Sequence, residues 1–206
     1  MKTTPSATLR RYPIYLKALR RIKAEGKTKI MSSEFANYVG IKSTTIRRDF
    51  SLIGSLGKQG FGYNVDELIK IFSDELGVNY DEKIILVGAG NLGRAMLNYN
   101  KWNDVVGEIV CGFDVNPEAC KDKCSVPIYN IKDIKNKLPE GCRIAILCIS
   151  DNKVQETINL LAEVGIKGIV DFTHVHYDVP SGVIIKNVDV VSMIQELVFT
   201  TNSSNK

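Results

Sequence analysis

The residues best placed to do chemistry are Gly88-Ala89-Gly90-Asn91-Leu92-Gly93 and, further on, Asp114. The glycine run follows the apolar stretch Ile84-Ile85-Leu86-Val87 and opens a helical pattern. In such a GxGxxG, Gly88 permits a tight turn, Gly90 lets a pyrophosphate approach the backbone, and Gly93 lets the helix pack close to the strand. The helix N-terminus then faces the anion. Asp114 ends the next strand-like run, 21 residues after Gly93. A carboxylate there would accept hydrogen bonds from adenosine ribose hydroxyls and repel an added phosphate, which favours NAD(H) over NADP(H). The alternative is a glycine-rich turn that binds nothing.

Two further loops follow strand-like runs and are candidates to meet the nicotinamide half of such a ligand. Ser150, Asp151 and Asn152 follow Ile149, and Thr173 with His174 follows Phe172. Val115, beside Asp114, and Ile149 complete the candidate cofactor set. His174 and His176 are the only histidines, and in a dehydrogenase His174 would be the natural proton donor. Yet residues 83–206 offer no obvious second domain for a substrate, so a structural or surface role is the plainer reading. Of five cysteines, Cys111, Cys142 and Cys148 lie in or beside apolar runs and read as buried small hydrophobes. Cys120 and Cys124 sit in a polar stretch with no second pair after them, so no zinc or other metal site is expected.

A second chemistry belongs to the N-terminal part. Residues 1–63 carry 13 Lys+Arg against three acids, a net of +10, whereas residues 64–206 carry 14 basic and 20 acidic residues, a net of −6. That asymmetry points to a polyanion partner for the N-terminal part only. Ser43, Thr44, Thr45, Arg47, Arg48 and Ser51 fall along one helical stretch, on the side away from Ile46, Phe50 and Ile53. Arginine grips guanine edges or phosphates, and threonine hydroxyls reach either. Arg10 and Arg11 add charge nearby, and Lys58 and Gln59 could enter a minor groove. A module that binds protein or only scaffolds is the alternative.

The elements that must position these groups follow from periodicity. Leu9, Tyr12, Ile14, Tyr15, Leu16, Leu19 and Ile22 recur at helical spacing and predict a first helix that Gly26 ends. Ser33 is expected to cap a helix over Glu34–Val39 that stops at Gly40, and Ser43 to open another over Thr44–Ile53. The tight Gly40-Ile41-Lys42 turn makes the last two a helix-turn-helix. Gly54, Gly57, Gly60 and Gly62 suit a hairpin wing, followed by a connecting helix over Asp66–Leu76 and a linker near residues 77–82.

From Lys83 the pattern becomes alternating strands and helices. Strands are expected at Lys83–Val87, Glu108–Phe113, Arg143–Ile149 and Gly168–Phe172, with a short one near Pro127–Tyr129. Helices near Leu92–Tyr99, Ile131–Lys137 and Lys153–Val164 separate them. Apolar strands with intervening helices imply a parallel, doubly wound sheet. A strand at Val183–Val188, an apolar helix over Val190–Phe199 and a polar tail from Thr200 close the chain. The expected fold is α/β: a winged helix-turn-helix over 1–78, a Rossmann domain over 83–188, and a terminal segment over 189–206. No run approaches the ~20 apolar residues of a membrane span, and no signal peptide is visible, so the chain reads as cytoplasmic.

Taken together, these motifs resemble the Rex family of redox-sensing transcriptional repressors. The resemblance is carried by Arg10-Arg11-Tyr12 with Tyr15-Leu16, the run Ser43–Ser51, the segment Gly57–Tyr63, and the Gly88–Gly93 loop. It continues through Phe113–Pro117, Ala162–Ile169, and Val179-Pro180 on to Asn187-Val188-Asp189. It implies a homodimer that binds double-stranded operator DNA, is released when NADH replaces NAD+, and exchanges its C-terminal helix between subunits. It also implies an interdomain switch involving Lys17, Tyr99 and Asp189. Lys17 stands where some members carry Arg, Asp171 where many have Asn, and His174 where Pro is common. A small NAD-dependent oxidoreductase with a basic appendage is the rival reading, and a nucleotide- or CoA-binding module sensing another metabolite is a second.

Overall fold

The computed structural model describes residues 4–54, 61–77, 81–99, 106–120 and 124–203, and the side chain of Asp151 is not described. The chain divides into two compact units, residues 1–79 and 80–206.

The first unit is built on helices α1 (Ser6–Leu9), α2 (Tyr12–Ala24), α3 (Ser32–Val39), α4 (Ser43–Ile53) and α5 (Val65–Leu76). A two-stranded antiparallel ribbon, β1 (Lys29–Ile30) with β2 (Tyr63–Asn64), joins its two halves. β1 carries no alternating pattern and was not foreseen. Residues 55–60 of the expected hairpin lie outside the described residues; just past it, Tyr63 and Asn64 pair with this distant strand. Gly40 ends α3 in the left-handed conformation, φ 67°, which only glycine adopts without strain, and the chain turns directly into α4. Ser33 does not cap α3: Met31 holds that position and the helix begins at Ser32. Asn64 caps α5 through a bond from the Glu67 amide.

An aromatic core holds these helices together. Tyr12, Tyr15, Phe35, Phe50 and Phe72 are buried, and Phe50 meets Tyr15, Phe35, Tyr63 and Phe72 at ring-centre distances of 4.9–5.9 Å. Burial of Ile46 and Phe50 on α4 leaves Thr44, Arg47, Arg48 and Ser51 on the exposed face.

The second unit is a six-stranded, all-parallel sheet. Its strands are β3 (Glu82–Val87), β4 (Gly107–Asp114), β5 (Ile128–Asn130), β6 (Ile144–Leu147), β7 (Gly168–Asp171) and β8 (Ile184–Asn187), in the spatial order β5-β4-β3-β6-β7-β8. Renumbered from β3, that order is 3-2-1-4-5-6, the doubly wound dinucleotide-binding arrangement. Helices α6 (Asn91–Asn98), α7 (Ile134–Lys137) and α8 (Val154–Glu163) follow β3, β5 and β6. Cores lie on both sheet faces, one around Ile85, Val87, Ala145, Leu147, Ile158 and Leu161, the other around Ile84, Leu86, Leu97 and Ile146. Alternate residues of β3 serve opposite cores, so Ile84 to Val87 are all apolar and buried.

The last helix, α9 (Val190–Ser203), absorbs part of the expected polar tail, because Thr200, Thr201 and Ser203 bond back to carbonyls one turn earlier. None of its residues is buried in the single chain, and Val191, Met193, Ile194, Leu197, Val198 and Phe199 are all exposed. Among the described residues no helix is long and apolar enough to cross a membrane.

Candidate cofactor crevice and nucleic-acid face

The strand order reverses between β3 and β6, so their diverging loops leave a crevice at the carboxyl ends. A cavity of about 640 Å³ lies there, lined by Gly88, Gly90, Asp114 and Val115 on one side and by Cys148, Ile149, Ser150 and Thr157 on the other. Its size is that of a small-molecule site. Gly88, Gly90, Asp114, Val115, Ile149 and Ser150 are thus brought to one cavity, as the candidate set required.

Each glycine of the loop meets a different demand. Gly88 has φ 96°, and a Cβ there would collide with the Cys148 carbonyl across the strand gap. A Cβ on Gly93 would strike the Gly88 carbonyl and come within 3.0 Å of Leu86 Cδ2. Gly90 differs: nothing lies within 4 Å of where its Cβ would be. The loop is therefore tight at both ends and open in the middle, the shape a phosphate-approaching backbone requires. Ala89 is buried, while Asn91 and Leu92 are exposed at the start of α6, Asn91 accepting a bond from Arg94 at 2.6 Å.

Asp114 does more than wait for a ligand. Its Oδ2 accepts the Ala89 amide at 2.7 Å and its Oδ1 the Asn116 amide at 2.8 Å, which fixes the glycine loop against the end of β4. Two carboxylate oxygens offer about four acceptor positions, so room for ribose hydroxyls remains. Sequence reasoning missed Ile131, Lys132, Lys153 and Leu160, which also line the cavity. Ile131 and Lys132 follow the short β5, which was expected, but their approach to the crevice depends on the strand order. Lys153 and Leu160 belong to the segment leading into and along α8, whose spacing predicts only a helix between two strands.

Thr173 lies past the end of β7 rather than among the cavity-lining residues. It is buried, its amide is held by Asp171 Oδ1 at 2.8 Å, and its Oγ1 is buried without a hydrogen-bond partner. A buried, unpaired hydroxyl is costly unless a bound group completes it. The open Gly90, the Asp114 carboxylate and this orphaned hydroxyl fit a dinucleotide laid across the sheet edge. His174 is exposed and is not a cavity residue; its Nδ1 stands 3.7 Å from Asp189. Asp189 accepts the Ser192 amide and hydroxyl at the start of α9, and those bonds hold its carboxyl below the usual range. Tyr99 is exposed at the end of α6, and Lys17 is exposed on α2 of the other unit. Among the described residues no three His, Cys, Asp or Glu could share a metal.

On the first unit, Arg10, Thr44, Arg47, Arg48 and Ser51 are exposed, and Ser43 and Thr45 partly so. Arg47 also reaches Ser32 Oγ at 3.2 Å, tying α4 to the start of α3. Lys58 and Gln59 lie outside the described residues. Arg11 departs from expectation. Its guanidinium grips Asp49 at two points, both 2.7 Å, and is mostly covered rather than displayed toward a polyanion. Asp49 is 1% exposed and also accepts from Tyr15 Oη at 2.7 Å and Thr8 Oγ1 at 3.2 Å. Burial pushes the Asp49 carboxyl up, but the Arg11 and Tyr15 bonds outweigh it and leave it below the usual range. Asp49, the one acid within Ser43–Ile53, was the available signal, since an acid on the apolar side of a helix needs a partner.

A helix-turn-helix with an exposed basic recognition face, joined to a doubly wound sheet with a dinucleotide crevice, defines a DNA-binding protein that carries a nucleotide sensor. Comparison with known proteins agrees. Residues 3–51 match a family model described as a putative DNA-binding protein N-terminus, and residues 79–175 one described as a CoA binding domain. Redox-sensing transcriptional repressor Rex of Lactobacillus gasseri is 41% identical over 97% of this chain and 94% of its own length. Rex of Streptococcus mutans is 39% identical over 98% and 96%. Among solved structures, RSP bound to β-NAD+ and operator DNA superposes with a TM-score of 0.87 at 29% identity, covering all of this chain and 95% of RSP. RSP bound to β-NADH gives 0.82 at 28%, covering all of this chain and 97% of that one. The chain belongs to the Rex family of redox-sensing transcriptional repressors. These relatives are named as repressors and not as enzymes, so the oxidoreductase reading is not favoured.

Proposed function

We propose that this protein is a cytoplasmic, homodimeric repressor that binds palindromic operator DNA through its N-terminal unit and releases it when NADH replaces NAD+ in the second. The observation that carries the reading is the joining, in one chain, of an exposed α4 face in a segment of net charge +10 to the open-centred glycine loop facing Asp114. Gly88 to Gly93 and Asp114 with Val115 hold the pyrophosphate and adenosine, while Ile149, Ser150 and Thr173 face the nicotinamide half. Ser43, Thr44, Thr45, Arg47, Arg48 and Ser51 meet DNA, assisted by Arg10, Lys58 and Gln59, and Arg11 orients α4 through Asp49. Lys17, Tyr99 and Asp189 transmit the cofactor's state between units.

Dimerisation supports the DNA reading. The apolar, unburied α9 supplies a surface for exchange with a second subunit, since a helix this apolar is stable when covered. Two recognition helices must then stand about one helical turn, ~34 Å, apart to read both half-sites. A cofactor differing by a hydride shifts that arrangement only through unequal affinity for the two dimer states. The test is fluorescence anisotropy on a labelled palindromic duplex at fixed salt, with NAD+ or NADH added. Loss of binding with NADH alone supports the sensor; binding indifferent to both cofactors removes it and leaves only a DNA-binding protein.

A further inference from the structure

Asp171 closes β7 with its side chain fully buried, and among the described residues no Lys, Arg or His forms an ion pair with it. Its two described partners are neutral donors, the Thr173 amide at 2.8 Å and Tyr177 Oη at 2.7 Å. Tyr177 in turn reaches Asn187 Oδ1 on β8 at 3.1 Å, so a loop residue fastens the carboxylate across two strands. A buried carboxylate without a cation is expensive, and proteins keep one where something positive comes to it or where it holds a structure by hydrogen bonds.

The surroundings favour the first use. Asp171 pairs in register with Leu147, one residue before Cys148, which lines the cavity. Burial, and after it the Asp171 charge, pushes the Cys148 thiol up to about 12, so the negative field of Asp171 reaches a cavity wall. Two residues on, Thr173 presents its buried, unpartnered hydroxyl. Asp189 is half exposed, and Glu156, Lys132 and Lys153, which line the cavity, are exposed too, so water screens all four, whereas Asp171 is fully buried.

We infer that Asp171 is a specificity-determining residue whose buried, unpaired carboxylate favours the cationic nicotinamide of the oxidised cofactor over the neutral reduced ring. The inference rests on the dinucleotide reading above. Oxidised and reduced cofactors share their adenosine, pyrophosphate and carboxamide and differ in the ring's charge and pucker. A fixed negative charge therefore separates them where shared contacts do not. In the dimer it opposes NADH, so it raises the NADH/NAD+ ratio needed to release DNA.

The test is a set of dissociation constants for NAD+, NADH and ADP-ribose on the full-length dimer and its D171N variant. Removing one buried charge should weaken NAD+ about tenfold relative to NADH, the scale of a charge–charge interaction across several ångströms of protein. ADP-ribose, which has no nicotinamide, should be unaffected. An unchanged NAD+/NADH ratio with ADP-ribose still bound overturns the inference. A second measurement needs no variant: wild-type protein should bind NAD+ more tightly than benzamide adenine dinucleotide, a planar analogue without the ring charge. Equal affinities overturn the inference even if D171N does not fold. If wild-type protein binds neither ADP-ribose nor either cofactor, the dinucleotide reading fails, and the inference falls with it.

Discussion

Asp49 is where a single substitution should be felt most. Replacing it by alanine strips acceptors from Arg11, Tyr15 and Thr8 at once and leaves a guanidinium with side-chain exposure of 24% beside an apolar core. Removing one member of a buried pair costs about 3–5 kcal/mol because the survivor stays desolvated. Arg11 keeps partial access to water, which places the expected loss near the lower end, about 3 kcal/mol. A 79-residue unit is stable by about 4–12 kcal/mol at 0.05–0.15 kcal/mol per residue. D49A should therefore remove a quarter or more of that stability and lower the melting temperature of the first unit by about 10 °C or more.

The assay is urea and thermal unfolding of the full chain by far-ultraviolet circular dichroism, run as a double-mutant cycle with Arg11→Met. The pair should couple by about 2 kcal/mol, the double variant being far less damaged than the sum of the singles. A D49A loss below about 1 kcal/mol, or additive singles, would refute the argument that the buried pair fixes α4. The pH dependence supplies a second check. The Asp49 carboxyl is lowered in the folded state, so its contribution is complete above the unfolded value of about 3.9 and is lost as pH falls through the lower folded value. D49A should lack that acid limb, while Arg11, already protonated and raised further, adds none above it.

The glycine loop gives a paired prediction. Gly90→Ala should leave the melting temperature nearly unchanged yet weaken NADH at least tenfold in a fluorescence titration, whereas Gly93→Ala should destabilise the second unit by about 2 kcal/mol. Asp114→Ala should weaken NADH and also loosen the loop, because it removes the acceptor for the Ala89 and Asn116 amides; a variant with unchanged NADH affinity would contradict both roles. Arg48→Ala should lower operator affinity and reduce the slope of log K against log salt by about one, with stability within about 0.5 kcal/mol. Leu197→Asp on α9 should shift the protein from dimer to monomer in light scattering, and a dimer that persists would place the interface elsewhere.

What could be read from the sequence followed the range of the interactions. Strands β3, β4, β6 and β7 were legible because each is an apolar run inside a repeated strand–helix alternation. The glycine loop was legible because its GxGxxG spacing is local, although the Cys148 carbonyl that Gly88 must clear lies 60 positions on and became visible only in the fold. β1 escaped notice because two residues carry no periodicity, and its partner β2 lies 33 residues away. Lys132 and Lys153 escaped because the crevice they share exists only once the sheet order is known.

Arg11 and Asp171 are the more instructive cases, since each was visible and each was valued by type. Arginine in a basic segment reads as a DNA contact until Asp49, 38 positions on, is found to hold it at two points. Asp171 falls inside the expected strand Gly168–Phe172 and drew no role there, yet the fold buries it fully with no cation beside it among the described residues. Composition counts both as ordinary charges. The fold makes them opposites: Arg11 has its counterion in Asp49, while Asp171, among the described residues, has only the neutral donors Thr173 and Tyr177.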